Sequence, residues 1–310
     1  MVAASSRRRE PVQSPLRPMA PTKTPWNPRF YEASPLHASI AHAAARLGEC
    51  ELFPTHDLLN QRIGPLTAVP EASAAPRRFV HDLSRRRTRA QGERTLESLY
   101  DGRIALRGEI ATRASDWHDL LNALVWASFP RSKRTLSERQ YEIHKARVGE
   151  RFERLPPTRT PEQDTLALLD EGSVLLVADA RLCALLREAV EAQDYDELGA
   201  RVQNGTLSLL LFGHAQHEHL VRGEREVRAG AVIVGVPGLP RWPEPTVLLD
   251  AADRALAAML GDPACFRERP TAIALLLSML EGWLQDPLRD TLSRHPDGSG
   301  TVTTNGDDPQ

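Results

Sequence analysis

A histidine and an asparagine four residues apart on one helix can hold a proton and orient a substrate, and residues 115–129 offer such a pair. At 100° per residue, Trp117, Leu120, Leu121 and Leu124 form an apolar face, with His118 and Asn122 as i, i+4 neighbours on its shoulder. His118 there suits a general base and Asn122 suits the group that orients it. The structural alternative is a mutually bonded pair that only fixes packing.

Charged residues follow at once. Arg131, Ser132 and Lys133 precede Ser137-x-x-Gln140, which reads as the capping box of a new helix. Free N–H groups and the dipole at a helix start favour an anion, so this stretch is a candidate phosphate or carboxylate site, or else a solvated basic turn. Asp170 and Glu171 close a helix over 161–171, where carboxylates oppose the dipole and so hint at a use elsewhere; Asp164 lies near its start, where a carboxylate is favoured. His214-Ala215-Gln216-His217-Glu218-His219 invites a metal reading but matches no zinc signature, and further ligands would have to come from elsewhere, so no metal is assigned. His214 extends the stripe Leu207, Leu210, Leu211 and is expected to face inward and meet one of Asp164, Asp170 and Glu171. Gly213 beside it leaves room for another backbone to approach. There is no Gly-rich phosphate loop and no G-x-S-x-G, so the cofactor is unknown.

The elements that must place these groups are mostly helices. Ser34-Pro35 opens one that runs to Gly48, and Thr55 opens a shorter one. Ser115 is expected to cap the helix ending at Phe129, the Ser137 helix to run to about Phe152, and Thr160-Pro161 to start the helix ending at Gly172. Ser173–Ala178 and Ala231–Val236 read as strands. Leu207–Val221 fits a helical face and is expected to be one helix. Thr246–Gly261 and roughly 271–286 complete a predominantly helical α+β body with a few short strands.

Composition bounds the rest. The chain has 310 residues, 41% of them hydrophobic but only 5% aromatic, so the core must rest on Leu, Ala and Val. Its longest apolar runs fall far short of the roughly 18 residues of a membrane helix, so no membrane association is expected. Cys50, Cys183 and Cys265 lie too far apart for a local thiolate site, and a cytoplasmic, reducing location follows as the default. The net charge is −2, yet the Arg-rich segment 77–94 is strongly basic, which keeps nucleic acid open as a partner. Residues 1–30 and 296–310, rich in Pro, Gly and polar residues, read as disordered tails around a single domain over 31–295.

The run Trp117-His118-Asp119-Leu120-Leu121-Asn122-Ala123-Leu124-Val125-Trp126, followed by Phe129-Pro130-Arg131-x-Lys133, resembles the signature of a bacterial family, the domain of unknown function 3025. Asp164-x-Leu166, Leu169-Asp170-Glu171-Gly172, Leu211-Phe212-Gly213-His214-Ala215 and Arg113 fit the same pattern, and the resemblance is best over residues 95–222. Near its end the family carries a Pro-Leu-Pro and a Gly-x-Pro-Gly-Trp stretch, of which only Gly282-Trp283 remains here, marking a divergent member. The family brings no established activity. What the resemblance implies is one shared cleft holding Arg113, His118, Asn122, Lys133, Asp164, Asp170, Glu171 and His214. The expected function is a hydrolase or transferase acting on an anionic small substrate, with His118, Asn122 and His214 catalytic and Arg113, Arg131, Ser132 and Lys133 holding the anion. The alternative is a non-catalytic binding module, for protein or nucleic acid, whose polar residues form a structural network.

Overall fold

A continuous apolar run in the sequence marks the strand around which the molecule is built. In a computed structural model that describes residues 24–69, 71, 76–82, 94–268 and 274–285, β5 (Ser173–Asp179) is buried at every position. It pairs antiparallel with β6 (Leu207–Leu211) and parallel with β7 (Arg228–Val236), which in turn pairs antiparallel with β8 (Ala274–Leu276). Both faces of this mixed sheet are covered, which is why its strands read as unbroken Val/Leu runs. Leu175, Val177, Leu210 and Val234 face the larger core, and Val174, Leu176, Leu207, Leu209 and Leu211 face a second one.

The larger core is centred on α4 (Trp117–Ser128), buried at every position from Leu120 to Ser128. A helix buried all round has no solvent stripe, and α4 is enclosed by α1 (Ala38–Ala45), α9 (His214–Val221) and the 3-10 turn Gly64–Thr67. The remaining α-helices are α2 (His56–Arg62), α3 (Tyr100–Arg107), α5 (Pro130–Val148), α6 (Pro161–Gly172), α7 (Cys183–Ala192), α8 (Tyr195–Gln203), α10 (Pro245–Gly261) and α11 (Leu277–Leu284). Two small strand pairs flank them: β1 (Arg78–His81) with β3 (Glu109–Thr112), and β2 (Arg94–Thr95) with β4 (Arg151–Phe152). The result is the expected predominantly helical α+β body with few short strands.

Several boundaries differ from expectation, each for a local reason. Asp116, not Ser115, caps α4: its carboxylate accepts from Asp119 N at 3.1 Å, while Ser115 sits at φ 53°. Ser137 starts no helix, because Pro130 at the first turn already begins α5 and Ser137 is interior to it. Leu207–Leu211 is a strand rather than a helix; its apolar run fits both periods, and pairing with β5 decides the outcome. The final helix starts only at Leu277, with β8 before it. Thr160 does form a capping box with Gln163, as its sequence predicts.

The expected N-terminal tail ends early. Trp117 Nε1 donates to Thr24 O at 2.9 Å, Trp26 and Phe30 pack on Trp117 at 5.3 and 5.0 Å, and Phe30 is buried, so Thr24–Phe30 belong to the body. Residues 1–23 and 296–310, and 83–93 of the Arg-rich segment, lie outside the described residues. No helix among the described residues is long and apolar enough to cross a membrane.

Candidate functional site

Two glycines let the site close. Gly213 joins β6 to α9, and a Cβ there would stand 2.4 Å from Ser173 N and 2.6 Å from Glu171 O, so only glycine lets the α9 start touch the end of α6. That contact sets His214 against Asp170. Gly102 lies against Leu96 O, where a Cβ would stand 1.8 Å away. This docking holds the first turn of α3, with Tyr100 and Asp101, over the same region.

The residues so gathered face a cavity of about 570 Å³, lined by Tyr100, Asp101, His118, Asn122, Asp170 and His214, with Arg103, Arg113, Gln140, Arg159 and Glu171 around them. Below it lies Lys133, only 2% exposed. Its ammonium donates to Asn122 Oδ1 at 2.8 Å and to Asp170 Oδ1, and stands 5.4 Å from the Trp126 ring centre. Asn122 Nδ2 in turn donates to Tyr100 OH at 2.8 Å. A lysine this deep keeps its charge only with such partners.

A second chain of bonds fixes the histidine protons. His214 Nδ1 donates to the Asp170 backbone carbonyl at 2.8 Å, which leaves Nε2 as its lone-pair acceptor. His118 Nε2 lies 3.0 Å from that lone pair and must donate. His118 Nδ1 lies 3.0 Å from Glu218 Oε2, a carboxylate also paired with Arg222, and donates there. His118 is therefore an imidazolium and His214 a neutral imidazole. Their surroundings agree: the bond to Glu218 raises His118 above the ordinary histidine value, and burial pushes His214 down to about 4.

Two carboxyl groups of the cavity, Asp101 and Asp170, are driven apart in the same way. Burial, with the Asp170 charge nearby, pushes Asp101 up to about 7. Burial also works against the Asp170 charge, but the Lys133 ammonium, by its charge and its hydrogen bond, outweighs it, with the His118 imidazolium adding to the effect, and the carboxyl is held below its ordinary value. Ser137 Oγ, 3.5 Å from Asp101 Oδ1, is its polar neighbour on α5. At neutral pH the cavity thus holds one carboxyl that can give a proton and one that can take it. Burial, again with Asp170, raises the Tyr100 phenol, which stays protonated.

Not every expected residue arrives here. Arg131 and Ser132 face α10 instead: the helix expected to start at Ser137 starts at Pro130, and the backbone N–H groups of Arg131 and Ser132 donate to Asp253 at 3.0 and 2.8 Å, so that start already holds a carboxylate of the protein. The Arg131 guanidinium binds Glu71, Asp250 and Asp253. Arg113 lines the cavity, but its guanidinium is bidentate to Asp119 at 2.9 and 2.8 Å. Asp164 sits in the first turn of α6, outside the cavity lining. His214 does meet Asp170, chiefly through the carbonyl, with the carboxylate at 3.9 Å.

Sequence reading missed Tyr100 and Asp101, which come from a helix with no motif and reach the site only through tertiary packing. Glu218, part of the His-rich run that invites a metal reading, pairs with His118 instead. Groups of His, Cys, Asp and Glu that could hold a metal ion are absent among the described residues.

The chain matches the family described as a protein of unknown function (DUF3025) over residues 88–291, a span that takes in Tyr100, Asp101, His118, Asn122, Lys133, Asp170 and His214 and extends past 222 to Gly282-Trp283. No curated protein and no solved structure matches it.

Proposed function

The chain belongs to the DUF3025 family, and we propose that it is an enzyme carrying out acid–base chemistry, hydrolysis or group transfer, on a small polar substrate bearing an anionic group. The observation that carries this reading is a pair of carboxyl groups lining one cavity in unlike surroundings: Asp170 is bonded to the buried Lys133 ammonium, whereas Asp101 has the Ser137 hydroxyl as its neighbour on α5 and is pushed up to about 7. Asp101 is the proton donor. Asp170 is the proton acceptor, and Lys133 keeps it ionised. Tyr100, oriented by Asn122, offers a hydroxyl to substrate. His118 and His214 hold the Asp170 segment, and the imidazolium lends positive charge where negative charge develops. Arg159 at the rim meets the anionic group. The free thiols of Cys50, Cys183 and Cys265 support placing the protein in the cytoplasm.

A second reading has its own observation. Every ring nitrogen of His118 and His214 is used within the protein, as expected of a network that only fixes the fold around a binding pocket. The test is turnover of a panel of phosphoesters and acyl esters, with and without divalent metals, by the native chain and by Asp101→Asn and Asp170→Asn. The enzyme reading expects at least one probe to be turned over and the rate to fall roughly 100-fold or more in each variant. Turnover unchanged in Asp101→Asn defeats the assignment, and an inert panel favours the second reading.

A further inference from the structure

Away from the cavity, on the next face of α5, two arginines are buried together. The Arg77 and Arg134 side chains are each 10% exposed, and both approach a single oxygen: Arg77 Nη2 lies 3.8 Å and Arg134 Nε 4.0 Å from Glu138 Oε1. Those separations are too long for hydrogen bonds. Arg77 Nε, Arg134 Nε and Arg134 Nη2 are buried with no hydrogen-bond partner among the described residues. Arg77 is fixed in place by the start of β1, where its backbone N–H donates to Thr67 Oγ1 at 2.8 Å, and its side chain runs past Gly108, where a Cβ would stand 3.3 Å from Nη1. Among the described residues, two guanidinium charges thus share one carboxylate that is itself 53% exposed, leaving a local excess of one positive charge there. Buried charge is normally paired and buried N–H groups are normally bonded.

We propose that Arg77 and Arg134 form a binding site for a small oxyanion of the phosphate type. Paired guanidinium forks are the side chains best matched to a tetrahedral oxyanion, which accepts several N–H bonds at once. Such an anion would satisfy the three orphaned donors and cancel the excess charge, and Glu138, the most exposed member, would give way to admit it. The site joins α5 to β1 and to the end of α3. Bound anion therefore fastens the helices that carry Lys133 and Asp101, although the proposal does not depend on what the cavity does.

The experiment is a thermal melt and a calorimetric titration of the full chain with inorganic phosphate, against chloride at equal ionic strength. The expected result is a melting temperature that rises by several degrees with millimolar phosphate in the native chain and in His118→Gln, but not in Arg134→Met. Glu138→Gln, which removes the competing carboxylate from a half-exposed position and leaves the core intact, should bind phosphate several-fold more tightly. No specific rise with phosphate in the native chain overturns the proposal. So does a Glu138→Gln chain that binds no better, whether or not Arg134→Met folds. Loss of the effect in His118→Gln would also overturn it, by moving the binding to the cavity.

Discussion

Lys133 shows what a single residue commits the molecule to. Its ammonium is sealed at the base of the cavity and bonded to Asn122 and Asp170. Removing one member of a buried ion pair leaves the other uncompensated, so Lys133→Met should cost about 3 kcal/mol of stability, read from urea unfolding. A cost below about 1 kcal/mol would mean that the pair is solvated. At this scale the sequence was partly legible. His118 and Asn122 are paired by helical spacing alone, Lys133 is legible as a cation beside a helix start, Asp170 as a carboxylate opposing a helix dipole, and His214 as a histidine on an apolar stripe. Tyr100 and Asp101 could not be found, because nothing local distinguishes Tyr100-Asp101-Gly102 from an ordinary helix start. Arg113, Arg131 and Ser132 were legible as basic or polar, but their charges and donors are spent on Asp119 and Asp253, carboxylates that spacing could not assign to them.

Among the elements, the junction of β6 and α9 carries the most. The sequence reading ran one helix through it, since Leu207, Leu210, Leu211 and His214 keep helical spacing. The sheet overrode that pattern, and Gly213 is the residue that makes the turn possible. Gly213→Ala would drive a methyl group into the backbone of Ser173 and Glu171, which should cost about 1–3 kcal/mol and loosen the His214–Asp170 contact. Chemical denaturation reads the first effect, and the second should appear as a His214 resonance that titrates nearer the ordinary histidine value. An unchanged midpoint and an unchanged His214 would show that the close approach is not needed. The Ser137 misreading has a related origin. A serine followed three residues later by glutamine marks a helix start only where the preceding turn is open, and Pro130 had already begun α5.

At the level of the whole molecule, buried neutral histidines tie separate parts together and set the response to acid. His217 Nε2 donates to Leu211 O at 3.4 Å, so its Nδ1 accepts from His37 Nδ1 at 2.9 Å, and the pair joins the N-terminal 3-10 turn to α9. Burial, with Arg225 adding to it, lowers His37 to about 3, and burial likewise lowers His217 and His214. Below about pH 6.5 the unfolded chain takes up protons that the folded chain refuses, so each of these groups removes stability as pH falls from 6.5 towards its folded value. His37→Gln deletes one such group, and the stability lost between pH 6.5 and 4.5 should be smaller in that variant than in the native chain. An equal loss in both would contradict the burial assignment. The central claim, that Asp101 and Asp170 line one cavity with widely separated titrations, is tested most directly by following the side-chain carboxyl carbons of 13C-aspartate-labelled protein through a pH titration. Asp101→Asn and Asp170→Asn supply the assignments. The account predicts an Asp101 midpoint near pH 7 and an Asp170 signal that stays ionised to below its ordinary value of 3.8; two midpoints together near pH 4 would contradict it.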